Sequence, residues 1–119
     1  ERVAFGGGLI KKTSVQHEIA RGRCDIEQCR LWTLQAAEVM DREGLDGARP
    51  YISMIKIVAP RMAQEVADRA MQIYGGMGVC QDTMIPDVFT VGRFCRIADG
   101  PDEVHMSQLG KMTARSLAN

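Results

Sequence analysis

Asp99 is the carboxylate best placed for chemistry in this 119-residue chain. It stands in the run Arg96-Ile97-Ala98-Asp99-Gly100-Pro101-Asp102-Glu103-Val104-His105, directly ahead of an expected helix. Gly100 lets the backbone come close to a ligand, and Pro101 suits a first helical position, where no N–H is needed. Asp99 therefore stands beside unpaired helix N-terminal N–H groups, which favour an anion or a carbonyl oxygen. The chemistry on offer is that of a lone base beside donors that can take up developing negative charge; a plain N-cap Asp fits the same residues. A second group, Gln72-Ile73-Tyr74-Gly75-Gly76-Met77-Gly78, joins an amide to bare backbone that a nucleotide or pyrophosphate can approach. A helix C-cap followed by a turn is the simpler account of those glycines. The run is no dinucleotide fingerprint, because no strand precedes it and it ends a helix instead of opening one. His105, one to two turns beyond Asp99, reads as a packing or hydrogen-bonding residue, and Asp102 and Glu103 as favourable to the helix dipole.

Helices must position these groups. Val15, Ile19, Gly22, Ile26, Cys29, Thr33, Ala36 and Met40 recur at steps of four and three, the stripe of a long helix. Thr13 and Ser14 are its expected caps, and Gly44 with Gly47 its end. A second helix is expected from about Pro50 to Tyr74, with Ile52, Ile55, Ala59, Met62, Val66, Ala70 and Ile73 inward and a kink at Pro60. Pro86 opens a third through about Arg96, and Pro101 a fourth carrying Val104, Leu109 and Met112. No stretch alternates with period two. Short connections imply antiparallel neighbours, so the expected architecture is all-α, an up-down antiparallel four-helix bundle.

Composition narrows the classes further. Fifteen basic residues balance fifteen acidic ones, which excludes a nucleic-acid footprint. No apolar run nears the ~20 residues of a transmembrane segment. Cys24, Cys29, Cys80 and Cys95 form no CxxC pair, so no metal site is expected, and reduced thiols point to an intracellular setting. The eight methionines scatter over several helices and read as core filler. The chain, 1–119, reads as a single helical domain cut from something longer, since it begins with Glu.

Three motifs in order, Arg2-x-x-Phe5-Gly6, Gln72-x-x-Gly75-Gly76-x-Gly78 and Asp99-Gly100-Pro101, span nearly the whole chain. In this it resembles the C-terminal domain of acyl-CoA dehydrogenases, with its Arg-x-x-Phe-Gly, its Gln-x-x-Gly-Gly-x-Gly and a catalytic Glu-Gly-Thr. Ala-Asp-Gly-Pro-Asp-Glu-Val-His looks like the branch that contains family members ten and eleven. The resemblance implies an FAD-dependent enzyme that converts acyl-CoA to trans-2-enoyl-CoA, with Asp99 as the α-proton base. It implies that Gly100 keeps the approach open to the thioester, to which the backbone N–H of the base residue donates. It places Arg2 on the pyrophosphate of a neighbouring subunit's FAD, Phe5 and Leu9 near its adenine side, and Gln72, Gly75 and Gly76 against the same cofactor. Pro101, Asp102 and Glu103 would border the flavin through their backbone. This chain departs from the family pattern in having Asp for Glu, Pro101 for Thr, Ala98 before the base and Thr90-Val91 in place of an Arg-Asp pair. Implied partners are an electron-transfer flavoprotein as electron acceptor and further copies of the chain, as a homodimer or homotetramer. The implied location is mitochondrial or peroxisomal in a eukaryote and cytoplasmic in a bacterium. The alternatives are a non-catalytic oligomerisation bundle with vestigial motifs and an acyl-CoA oxidase-type flavoenzyme; the domain by itself is not expected to turn over.

Overall fold

Helix α1 (Thr13–Tyr74) runs for 62 residues but changes direction once, at Gly44. The computed structural model describes residues 2–118. An unbroken helix of that length would extend about 93 Å, whereas the longest dimension of the molecule is 61 Å. Gly44 resolves this with φ 72° and ψ −170°, a left-handed conformation that glycine adopts without a Cβ penalty. The two arms, 13–43 and 45–74, fold back on each other antiparallel. The Val66 side chain lies beside Gly22, and Arg69 pairs with Asp25 across the arms. Near the reversal Ala36, Val39, Ala48 and Ser53 are buried, small enough to let the backbones close together.

A hairpin, two further α-helices and two short 3-10 turns, Leu9–Lys11 and Gly75–Val79, complete the described residues. Strands β1 (Val3–Ala4) and β2 (Gly7–Gly8) form a tight antiparallel hairpin, with Val3 opposite Gly8. Its two loop residues, Phe5 at φ 54° and Gly6 at φ 82°, both take positive φ, the type I′ pattern. Helix α2 (Ile85–Phe94) has Pro86 in its first turn, where no N–H is required, with Asp87 early and Arg93 late, both suited to its dipole. Helix α3 (Asp102–Leu117) follows Pro101, which caps it in extended conformation at φ −69°. Gly92 of α2 packs on the 45–74 arm so closely that a Cβ there would lie 2.9 Å from the Gln64 backbone nitrogen.

Several expectations change. The fold is mostly helical, with three α-helices among the described residues where an all-α four-helix bundle was expected, because the first two expected helices form one run broken only at Gly44. Pro60 is buried and keeps helical dihedrals, and the one non-helical residue inside the run is Gly44, where a helix end was expected. Thr13 and Ser14 lie inside α1; its N-cap is Lys12, with no side-chain cap bond. Ile19 and Ile26, expected inside, are 49% and 44% exposed and line open grooves. The hairpin escaped notice because two-residue strands are too short to alternate. All four cysteines are free, and burial pushes the Cys29 thiol up. Among the described residues no helix is long and apolar enough to cross a membrane.

The contact at Gly92 sets a test of the packing. Gly92→Ala forces a methyl into helix backbone, not into a yielding side chain, and is expected to lower stability by roughly 1–3 kcal/mol. Urea unfolding followed by circular dichroism measures it.

Candidate active site

Arg2 joins the two glycine-bearing motifs of the sequence. Its guanidinium Nη1 donates to the Ile73 carbonyl at 2.7 Å. It lies over Gly75, where a Cβ would stand 2.6 Å from that same nitrogen. Gly75, at φ 63°, therefore serves two ends: it lets the helix stop, and it leaves room for Arg2. Around them opens a cleft of about 690 Å³ lined by Arg2, Phe5, Leu9, Lys12, Gln72 and Ile73, with Ser14, Val15 and Glu18 from the first turns of α1. The Lys12 ammonium donates to the Phe5 carbonyl at 3.2 Å, which ties the hairpin tip to the helix start. Two cations, an exposed amide and the N-terminal end of a long helix make this wall suitable for a doubly charged pyrophosphate. Glu18 is the one acid there, and Arg21 at 3.0 Å and Arg69 at 3.9 Å draw on its charge. Nothing lies within 4 Å of where a Gly76 Cβ would be, so that backbone is open. Phe5 is 86% exposed, and the type I′ turn holds it left-handed, a costly backbone for an aromatic residue.

Asp99 belongs to a different group, at the start of α3. It is exposed and takes φ 53°, followed by Gly100 at φ 95°. Short polar side chains tolerate this region better than most, which suits Asp there. The turn is clasped at its base: the Asp102 N–H donates to the Arg96 carbonyl at 3.2 Å, and Arg96 Nε donates back to Asp102 Oδ2 at 2.8 Å. Arg96 Nη1 also donates to Gln64 Oε1, and Arg61 stands 3.7 Å from the Asp102 carboxylate. Asp102 is only 6% exposed, and its Oδ1 is buried with no hydrogen-bond partner among the described residues. Lys56 Nζ donates to the Cys95 and Ala98 carbonyls at 3.0 and 2.8 Å. His105 Nε2 lies 3.2 Å from the Asp99 carbonyl oxygen, with the ring against Gly100.

The structure thus sorts the residues marked in the sequence into two places. Arg2, Phe5, Leu9 and Gln72 share the cleft, with Gly75 beneath Arg2 and Gly76 beside it. Asp99, Gly100, Pro101, Asp102 and Glu103 form the turn and first turn of α3. Lys56 beside the turn and Gln72 beside the cleft lie on the same arm, sixteen residues apart in sequence, or about 24 Å along the helix. The Asp102 carboxylate is turned inward on Arg96, so only its backbone is left to face a cofactor. Lys56 was not marked by sequence reasoning, and Arg96 and Lys12 were given no role by it. Lys56 sits forty-three residues before Asp99, and no local pattern reveals such a contact. Lys12 stood next to the expected caps and carried a signal, as a cation at the opening of the helix nearest Arg2. Among the described residues no three His, Cys, Asp or Glu side chains gather as a metal cluster.

A helical domain with an anion cleft at one end of an arm and a carboxylate turn further along it has known counterparts. The family described as "Acyl-CoA dehydrogenase, C-terminal domain" matches residues 1–113, and the chain belongs to that family. Acyl-CoA dehydrogenase family member 11 of Rattus norvegicus is 45% identical over 118 residues, which are 99% of this chain and 15% of that protein. A structure of an acyl-CoA dehydrogenase from Mycobacterium abscessus superposes with a TM-score of 0.93 at 39% identity, covering 98% of this chain and 29% of that one. The FAD complex of PigA shares the fold, with a TM-score of 0.85 at 23% identity over 95% of this chain and 29% of its own. The chain therefore spans less than a third of each of these relatives.

The clasp carries a consequence for stability. Asp102→Ala strips a buried partner from Arg96 and is expected to cost roughly 2–4 kcal/mol, reduced from the fully buried case because Arg96 is partly solvated. Asp102→Asn, which keeps an acceptor, is expected to lose less, and thermal unfolding of the two variants side by side gives the comparison.

Proposed function

We propose that residues 1–119 are the C-terminal domain of a longer FAD-dependent acyl-CoA dehydrogenase, and that Asp99 is its α-proton base. The observation that carries this reading is the geometry of the Asp99 turn. An exposed carboxylate is held left-handed beside a glycine by the Arg96–Asp102 clasp, by His105 at its own carbonyl and by Lys56 reaching the Ala98 carbonyl from the 45–74 arm, which is more than an N-cap needs. FAD, when bound, supplies the acceptor for the hydride that leaves the β-carbon. Asp99 takes the α-proton, and the electron pair left behind forms the α,β double bond of the trans-enoyl thioester. A thioester α-proton is a very weak acid, so charge on its carbonyl must be met by donors. Among the described residues no acceptor takes the Asp99 backbone N–H, which is available for that oxygen. Gly100 adds no side chain to obstruct it.

The cleft suits the other end of the cofactor. Arg2 and Lys12 would face the pyrophosphate, Phe5 would lie against the adenine side, and Gln72 and the open Gly76 backbone would approach the same group. A separation of about 24 Å along one arm fits two different FAD molecules, one met by Asp99 and one, held by a neighbouring subunit, met by Arg2. We therefore read the working enzyme as a homodimer or homotetramer completing an up-down bundle architecture. The open grooves by Ile19 and Ile26 support that reading. An electron-transfer flavoprotein would take the electrons, in mitochondria or peroxisomes of a eukaryote or in a bacterial cytoplasm.

Asp99→Asn in the full-length enzyme keeps the shape and the backbone donor but removes the proton acceptor. Turnover is expected to fall by roughly 10²-fold or more while FAD and acyl-CoA still bind. Stopped-flow reduction of the flavin by acyl-CoA gives the rate, and near-normal reduction would remove Asp99 from the mechanism. At the cleft, Gly75→Ala displaces the Arg2 guanidinium and is expected to reduce FAD retention on dialysis while leaving Asp99-dependent chemistry intact in the reloaded enzyme.

A further inference from the structure

Lys56 holds the peptide group from which Asp99 starts. Its ammonium donates to the Cys95 carbonyl at 3.0 Å and the Ala98 carbonyl at 2.8 Å. The first contact is an ordinary helix cap: Cys95 ends α2, and its carbonyl has lost its intrahelical partner. The second has no such explanation. The Ala98 C=O and the Asp99 N–H are the two ends of one planar trans peptide, so they point in opposite directions. Fixing the carbonyl toward the 45–74 arm fixes the N–H away from it, on the side where Asp99 is exposed. A cation on the carbonyl also draws electron density through the amide and makes the N–H a stronger donor. His105 Nε2 stands at the next carbonyl, that of Asp99 itself, so both peptides flanking the Asp99 α-carbon are held. Among the described residues Lys56 forms no ion pair, which leaves its charge directed at these two oxygens.

We propose that Lys56 is a positioning residue that orients and polarises the Ala98–Asp99 peptide, so that the Asp99 N–H can stabilise negative charge on a substrate thioester carbonyl. This rests on the reading of the Asp99 turn as the dehydrogenation site. Lys56 touches neither substrate nor cofactor; it acts through the backbone of the base residue. Its effect therefore belongs to the transition state and to the carbonyl of bound ligand, not to the affinity for FAD.

The test uses the full-length enzyme and three variants, Lys56→Met, Lys56→Arg and Asp99→Asn. The readouts are kcat, KM, FAD content and the stretching frequency of a ¹³C-labelled thioester carbonyl in bound enoyl-CoA, by difference Raman spectroscopy. Lys56→Met is expected to lower kcat roughly 10- to 100-fold, less than outright loss of a donor, and to reduce the downshift of the carbonyl stretch. KM and FAD content are expected to stay within about threefold, and Lys56→Arg to recover most of the loss. If Lys56→Met does not fold, Lys56→Gln, which keeps a neutral donor, must show an intermediate stretch. A wild-type stretch in Lys56→Met or Lys56→Gln overturns the proposal, as does a kcat loss explained by lost FAD. Asp99→Asn separates the two claims. Near-normal turnover in it defeats the base assignment; an inactive Asp99→Asn beside a Lys56→Met with wild-type stretch defeats the role of Lys56 alone.

Discussion

The reversal at Gly44 is the constraint on which the rest of the domain depends. Each arm of α1 carries an apolar stripe too narrow to be stable alone in water, and a helix without tertiary packing gains little from propensity. Folding the run back at one left-handed glycine lets Ala36 and Val39 meet Ala48 and Ser53, and lets Gly22 take the Val66 side chain. It also returns the chain, at Ile73 and Gly75, to where Arg2 and Leu9 wait. The 45–74 arm then becomes the surface on which everything else is placed. Gly92 sits on its backbone at Gln64, Gly78 sits on it at Met71, and Lys56 reaches from it to the Asp99 turn.

The interior that results is modest. Among the described residues the largest fully buried side chains are only Val39 and Ser53, while Leu31, Trp32, Leu34, Phe94 and Ile97 remain exposed. The same arrangement explains why charges are tied up locally along α1, in pairs such as Glu27 with Arg30, whose guanidinium holds the carboxyl below its usual range. Pairs of this kind stabilise an exposed helix face by little each.

How far the sequence revealed this depends on the range of the interaction. Period and punctuation are local, so the helical class, the end of α1 at Tyr74 and the start of α2 around Pro86 could be read directly. Gly44 was also legible as a stop and Pro60 as a residue inside a helix, but not that helical hydrogen bonding would resume directly after Gly44, ahead of Pro50. The proline at position 60 is tolerated because the arms bury it, which is a tertiary effect that propensity does not contain. At the site, Arg2, Gln72 and Asp99 were visible because motif spacing marks them. Asp102 was legible only as a first-turn acid; its burial on Arg96 requires knowing that the turn closes on itself. Lys56 left no mark at all, because its partners are main-chain carbonyls and any residue type would supply those.

The two candidate sites share one helical arm, and this restricts how the chain can change length. Adding or deleting a single residue between Lys56 and Gln72 would rotate one end against the other by about 100° and shift it by about 1.5 Å. Composition along that stretch can drift, within the limits of packing, but its residue count cannot. The connection between the end of the glycine run and α2, residues 80–84, has no such phase to keep, and length variation among descendants of this sequence belongs there.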